Sequence, residues 1–336
     1  MISVIIPCRN EELNIEECIN AIYRNSFGQD QELEVIVVDG LSDDKTLEIL
    51  AALQTQFNSL RVVNNVKKTT PEAFNLGIKN SKGNFIQIIG ARQVISSNYL
   101  EGAKKTLVQD EEIWCVGGAV NNVYQTPESE TIGLAMSSPF GVGGGNFRII
   151  KESGFVDTVG TPMYKKEVFD EVGFFNEDLK RNQDDEFNYR VIKAGGKIFL
   201  NIDISLSYYV RAKTSNLYKQ YMQYGYWKVY VNKLHNTITT IRQLVPLFFV
   251  LGIIGGILLS IIVPYFGLMF IVFLIIYFVL GLYFARKISK NTTQIFKVSR
   301  IFPILHWSYG YGYLKGIIHF FILNKKPSSN NKTLSR

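Results

Sequence analysis

Residues 33–46 read LEVIVVDGLSDDKT. Of the first six, five are apolar and run straight into Asp39-Gly40; the polar Ser42-Asp43-Asp44 cluster then opens a second apolar period at Leu47, Leu50 and Leu53. That pattern is a buried strand, a sharp turn and a helix start. In an open α/β sheet such a corner lies at the carboxyl end of a strand, where ligands bind, and its carboxylates can accept hydrogen bonds from a base or ribose. Asp39 and Asp43 are therefore the first candidate binding residues. Asp44 has a simpler use, because an acid at a helix N-terminus stabilises the helix dipole.

The same alternation extends on both sides. Residues 1–8 (MISVIIPC) form a short apolar strand, the polar RNEE follows, and the next helix turns Leu13, Cys18, Ile19 and Ile22 inward. Residues 60–64 (LRVVN) are a third strand, and Thr70-Pro71-Glu72 supplies an N-cap, an N1 proline and a first-turn acid for a helix to Asn80. A fourth strand, residues 85–89 (FIQII), leads to Gly90-Ala91-Arg92. Four strands alternating with helices predict an α/β fold with a doubly wound, mostly parallel sheet.

Further on, a helix runs from Ser97 to Gln109 and a strand follows over residues 114–123. Residues 137–147 (SSPFGVGGGNF) are rich in Gly and read equally as a mobile loop beside the substrate or as a passive linker. They lack the GK[ST] ending of a phosphate loop. A strand over 157–164, a short helix over 166–172, an amphipathic helix opened by polar groups over 181–194 (RNQDDEFNYRVIKA) and a strand over 197–202 complete the soluble part.

Charge divides the chain. Residues 1–203 hold 20 Lys and Arg against all 29 acids, a net of −9, whereas residues 204–336 hold 16 Lys and Arg and no acid. Between Arg242 and Arg286 lie 43 uncharged residues broken near the middle by Pro264. At about 1.5 Å per helical residue and about 30 Å of hydrocarbon, that length suits two crossings joined by a tight turn. Basic flanks at Lys228, Lys233, Arg242, Arg286, Lys287 and Lys290 put both ends of this hairpin, and with them the amino-terminal domain, on the cytoplasmic side. Residues 215–234 (SNLYKQYMQYGYWKVYVNKL) mix Tyr and Trp with Lys, a composition suited to the headgroup layer. A third apolar segment, residues 304–323, contains His306, Lys315 and His319 and reads as either spanning or re-entrant. The amino terminus does not read as a signal peptide, since Arg9-Asn10-Glu11-Glu12 interrupts the apolar run at once. Cys8, Cys18 and Cys115 form no paired spacing, which predicts reduced thiols.

Four stretches in order, SVIIPCRNEE, VVDGLSDDKT, AFNLGIKNSKGNFIQIIGAR and RNQDDEFNYRVIKAGGKI, together resemble the family 2 inverting glycosyltransferases of GT-A fold, and among them the membrane-attached enzymes of bacterial exopolysaccharide and capsule synthesis. The resemblance covers about residues 1–210 and implies a GT-A catalytic domain there. It is followed by an interfacial aromatic helix and linker (211–243), a transmembrane hairpin (244–285), and a basic loop, third apolar segment and basic tail (286–336). The implied partners are a nucleotide-sugar donor of the UDP type, a polyprenyl-diphosphate-linked glycan acceptor and the inner membrane, with the catalytic domain cytoplasmic and no nucleic acid polymer.

Such an enzyme must hold base and ribose, neutralise a departing diphosphate and take a proton from the acceptor hydroxyl. By resemblance, nucleotide-sugar binding falls on Pro7, Arg9, Glu11, Asp39, Asp43, Gly90 and Ala91. The family's Glu-Asp pair at the head of a helix aligns with Gln183-Asp184, so Asp184 inherits the base role with Asp185 and Glu186 as neighbours. Adjacent acids raise one another's pKa, which suits a base. The resemblance also implies a divalent cation, Mn2+ or Mg2+, on the diphosphate. Its usual acid is missing from Gly90-Ala91-Arg92, which leaves the metal ligands unassigned and offers Arg92, whose planar fork matches phosphate oxygens, as the alternative cation. A catalytically inactive scaffold of a polysaccharide assembly complex is the competing reading. A nucleotide-dependent oxidoreductase is disfavoured by the lack of GxGxxG after the first strand, and a transporter by spans without an ionisable residue.

Overall fold

The computed structural model describes residues 1–25, 32–144, 147–210 and 213–327. Gly145, residues 211–212 at the head of the linker, and the tail cations Lys332 and Arg336 lie outside the described residues. The strands are β1 Ile2–Cys8, β2 Leu33–Asp39, β3 Leu60–Asn64, β4 Phe85–Ile88, β5 Gln93–Ile95, β6 Ile113–Val123, β7 Gly154–Val156, β8 Met163–Lys165 and β9 Lys197–Tyr209. The helices are α1 Ile15–Tyr23, α2 Thr46–Gln56, α3 Thr70–Lys79, α4 Tyr99–Gln109, α5 Pro127–Met136, α6 Pro139–Val142, α7 Val168–Val172, α8 Gln183–Lys193, α9 Thr214–His235, α10 Val245–Ile262, α11 Pro264–Ile288 and α12 Thr292–Ile317. They divide into two compact units: residues 1–123 with 150–209, and residues 124–149 with those from Val210 onward.

The first unit is built on one sheet of order β3-β2-β1-β4-β8-β6-β9-β5, with β7 added to β9. Its amino-terminal half is parallel, as the alternation with helices predicts, while β8, β5 and β7 pair antiparallel to their neighbours. Every residue of β2 is buried, as befits a parallel strand covered on both faces. The polar member of that run, Glu34, accepts hydrogen bonds from Ser3 Oγ at 2.6 Å and Arg61 Nη2 at 2.6 Å, so its burial leaves no unpaired charge. Cys8, Asp39 and Asn64 share one register, which brings the loops after β1, β2 and β3 to a common edge.

Three details depart from the sequence reading. Leu13 is 89 % exposed in the turn before α1, whose inward face is Ile15, Cys18, Ile19 and Ile22. Residues 157–162 do not pair as a strand: Thr161 sits at φ 53° ahead of Pro162, and the strand begins only at Met163. The last strand runs on to Tyr209, far beyond Ile202.

In the second unit, Ile241–Ile262 and Pro264–Ile288 each contain an 18-residue stretch of mean hydropathy 2.7 and are long and apolar enough to cross a membrane. Within the Gly-rich stretch, residues 139–142 form a helical turn. Ser138 caps α6, and the Phe140 ring lies 5.1–5.5 Å from those of Tyr277, Phe284, Phe302 and His306. His306 Nε2 donates to the Phe140 carbonyl at 2.7 Å, which leaves Nδ1 to accept from the Tyr277 hydroxyl at 2.7 Å. Helix α9 is not a free surface helix, since Leu217, Tyr226, Trp227, Lys228 and Val229 are buried. A Cβ at Gly225 would collide with the Tyr309 carbonyl of α12, and one at Gly312 with the Met222 carbonyl of α9, so the two backbones touch where both lack a side chain.

Candidate active site

The loops after β1 and β2 are joined by hydrogen bonds. The Asn10 N–H donates to Ser42 Oγ at 2.9 Å, Asn10 Nδ2 to Asp43 Oδ1 at 2.5 Å, and the Asp43 N–H returns to Asn10 Oδ1 at 3.0 Å. Glu11 N–H donates to Thr46 Oγ1 at 2.8 Å, and Lys45 N–H to Glu12 Oε2 at 3.0 Å. Asn10 and Leu41 hold positive φ values of 54° and 55°, the bend that each loop needs to meet the other. Asp39 is fully buried; its oxygens accept the Ser42 N–H at 2.9 Å and the Ser42 hydroxyl at 2.5 Å. It therefore shapes the corner and keeps one lone pair on each oxygen. Asp43 is exposed at the rim. Asp44 accepts the Thr46 N–H at 3.0 Å; although partial burial raises its pKa, the Thr46 and Glu12 hydrogen bonds hold it below the ordinary aspartate value.

Pro7 lies opposite Val38 and beyond Ile5, the last β1 residue that pairs with β4, so its missing N–H costs the sheet little. The Arg9 stem covers Gly40, where a Cβ would stand 3.2 Å from Arg9 Cδ, and Arg9 Nε is sealed from water without a protein partner. At the end of β4, Gln93 closes a tight turn: Gln93 N–H donates to the Gly90 carbonyl at 2.8 Å and Gly90 N–H to Gln93 Oε1 at 2.6 Å, with Ala91 buried inside. Arg92 leaves that turn and gives its Nε to Glu11, at 3.0 Å from Oε1 and 2.8 Å from Oε2. Asn14 Nδ2 also binds Glu11 Oε2, at 3.0 Å.

On α8 the three acids have separate fates. Glu186 is buried and takes Arg190 side-on, at 2.9 Å from Nε and 2.9 Å from Nη2; Arg190 also holds the Val172 and Phe174 carbonyls. Glu186 is thus a structural anchor, while Asp185 is the neighbouring acid that repels charge on Asp184. Asp184 remains open to solvent, yet the protein packed round its carboxyl group lifts its pKa above the ordinary value, and Asp185 lifts it further. Asp185 N–H donates to Asp184 Oδ1 at 3.0 Å. The residues that sequence reasoning passed over are connectors: Asn10, Thr46, Gln93 and, on α8, Asn188. Polar side chains in a motif carry no label saying whether they bind a ligand or another loop.

These side chains do not fit a divalent cation at the end of β4. Gly90 offers only backbone, already closed onto Gln93, and Glu11, the carboxylate tied to this turn through Arg92, is shared between Arg92 and Asn14. Among the described residues no three of His, Cys, Asp and Glu come together closely enough to hold a metal ion.

Residues 3–173 match the model of glycosyl transferase family 2. The chain belongs to that family. A relative from Methanococcus voltae, a dolichyl N-acetyl-alpha-D-glucosaminyl phosphate 3-beta-D-2,3-diacetamido-2,3-dideoxy-beta-D-glucuronosyltransferase, is 35 % identical over 234 residues, 67 % of this chain and 71 % of its own. The succinoglycan biosynthesis protein ExoA of Rhizobium meliloti is 29 % identical over 249 residues, 73 % of this chain and 74 % of its own. Among solved structures, S. aureus TarS 1-349 in complex with UDP-GlcNAc superposes with a TM-score of 0.50 at 20 % identity over 67 % of this chain and 65 % of its own. GalNAc-T7 with UDP, GalNAc and Mn2+ gives 0.51 at 14 % identity over 63 % of this chain and 44 % of its own. These likenesses show that the family 2 domain of this chain has the GT-A fold.

Proposed function

We propose that this glycosyltransferase moves a sugar, with inversion, from a UDP-sugar donor to a lipid-linked glycan during synthesis of a cell-surface polysaccharide. The observation that carries the reading is Asp184, an accessible carboxylate lifted toward the working range of a general base at the head of α8. It takes the proton of the acceptor hydroxyl as that oxygen attacks the anomeric carbon; the bond from that carbon to the diphosphate breaks, and the nucleoside diphosphate leaves with the electron pair. The loops after β1 and β2, with Pro7, Arg9, Glu11, Asp39 and Asp43, hold the nucleotide, and the Gly90-Ala91 turn sets the position of Arg92. Charge on the leaving diphosphate is met by Arg92, whose terminal nitrogens remain available when Nε is on Glu11. The dolichyl phosphate acceptor in the Methanococcus voltae relative's name supports a lipid-linked acceptor, and the UDP-GlcNAc of the TarS complex supports a UDP-sugar. The two apolar helices and their basic flanks support an enzyme of the cell membrane whose catalytic unit is cytoplasmic. The test is transfer by purified membranes supplied with UDP-GlcNAc, UDP-glucose and UDP-glucuronate and a polyprenyl-phosphate sugar. The expected result is donor-specific product that vanishes in Asp184→Asn; no turnover of any sugar nucleotide by the wild type overturns the reading.

A further inference from the structure

Residues 157–162 fill the gap between the end of β4 and the base helix. On one side, the Pro162 carbonyl accepts the Ile88 N–H at 2.9 Å, and the Thr161 carbonyl accepts Gln87 Nε2 at 2.9 Å and the Tyr99 hydroxyl at 2.7 Å. This fastens the segment beside the Gly90-Ala91-Arg92 turn. On the other side is Asn188, wholly buried and one helical turn after Asp184 on the same face of α8. Its Nδ2 donates to Thr158 Oγ1 at 3.0 Å, and its Oδ1 accepts the Tyr164 hydroxyl at 2.8 Å. Tyr164 is itself fully buried on β8, with its ring 5.2 Å from that of Phe187.

A buried amide with both ends occupied is costly to turn, because moving it strands two polar groups away from water. The Asn188 amide is a crosspiece that joins α8 to Thr158 by a hydrogen bond drawn entirely from side chains. We infer that Asn188 is a positioning residue for transfer, setting the distance between the Asp184 carboxylate and the donor corner at the end of β4 through its hydrogen bond to Thr158. This rests on Asp184 being the base. Asn188 touches no reacting atom; it acts by denying α8 the small displacement that general-base catalysis tolerates poorly.

The bond can be removed from either end without changing shape much, by Thr158→Val or Asn188→Leu. In full-length enzyme with the UDP-sugar that the wild type uses, each lowers kcat by about tenfold or more, given that a misplacement of about 1 Å can cost 10²-fold, while the KM for the donor stays within about twofold. The double variant is no slower than Asn188→Leu alone, because both remove one interaction. The acid limb of the kcat profile moves to lower pH as the protein packed round the carboxylate loosens. Amide hydrogen exchange supplies a readout that needs no substrate: the peptide at residues 182–187 exchanges faster in Thr158→Val, whereas β1 and β2 keep their wild-type protection. Additive losses in kcat, an unmoved acid limb, or exchange at 182–187 equal to wild type overturns the inference. A wild type without turnover counts against Asp184 as base, and hydrogen exchange alone then decides whether the crosspiece holds the helix.

Discussion

Arg92 Nε stands 2.8 Å from Glu11 Oε2 and ties the loop after β4 to the loop after β1. The arginine side chain is 54 % exposed, and a pair that open to water contributes only about 0–1 kcal/mol to stability. On the proposed reading its value lies in orientation: one nitrogen is anchored on Glu11, and the planar end is free to turn to the leaving diphosphate.

Arg92→Ala should therefore leave the melting temperature nearly unchanged while lowering kcat by roughly 10²-fold, the scale on which loss of one transition-state donor is felt. Arg92→Lys should not restore the rate, because an ammonium cannot bind Glu11 and a phosphate through one fixed fork. A chelator should cost the wild type little. Complete loss in chelator, restored by Mn2+, together with a mild Arg92→Ala phenotype, would show that an ion supplies the main charge.

Asp184→Asn should bind donor with near-normal affinity and turn over at least about 10²-fold more slowly. A second effect follows from the direction of its pKa. Because the folded state raises it, the carboxyl group favours folding most when protonated, and that contribution is lost as pH rises through the folded value. The asparagine variant should melt slightly higher than wild type at neutral pH, and the gain should disappear below the ordinary aspartate range. Thermal melts at pH 3.5 and 7.5 check the sign; Asp185, Arg181 and Tyr164 are the other titrating or charged neighbours that these melts include.

Removing the Asp39 carboxylate leaves Ser42 without either of its bonds to that side chain. Asp39→Ala should weaken binding of free UDP by about tenfold or more, in line with about 1.5–3 kcal/mol for hydrogen bonds to a charged group, and change kcat at saturating donor much less. Calorimetric titration of UDP gives the answer directly, and an unaltered dissociation constant removes the corner from the binding site.

The parallel half of the sheet was legible because its signal is local: apolar runs that end in Gly, Asn or Asp and hand over to helical periods, as at Val38-Asp39-Gly40. Asp184 is proposed through its motif, since nothing in the letters distinguishes it from Glu186; the letters do not show that Glu186 is taken up by Arg190. The packing of Phe140, within residues 137–147, was illegible for a related reason. Glycine frequency reports the freedom of an isolated chain, whereas Phe140 among Tyr277, Phe302 and His306 is fixed by residues more than a hundred positions away. Leu13 failed differently, lying one turn too early for the helical period to apply.

The contact between α9 and α12 yields the last prediction. Gly225 and Gly312 let the two backbones meet, and both would need the partner helix to shift if a side chain were added. Overpacking of this kind costs about 1–3 kcal/mol, and in a chain of this size each kcal/mol lowers the melting temperature by about 2–4 °C. Gly225→Val should thus melt roughly 5 °C lower in detergent. Gly252→Val, on α10 with open space around it, is the control and should melt as wild type. Because α9 buries Trp227 and Val229, deleting residues 236–336 should leave an insoluble chain and not one that salt releases from membranes. A truncated protein recovered in the salt wash, with Gly225→Val as stable as wild type, would mean that α9 stands alone at the membrane surface and that its contact with α12 contributes nothing to the fold.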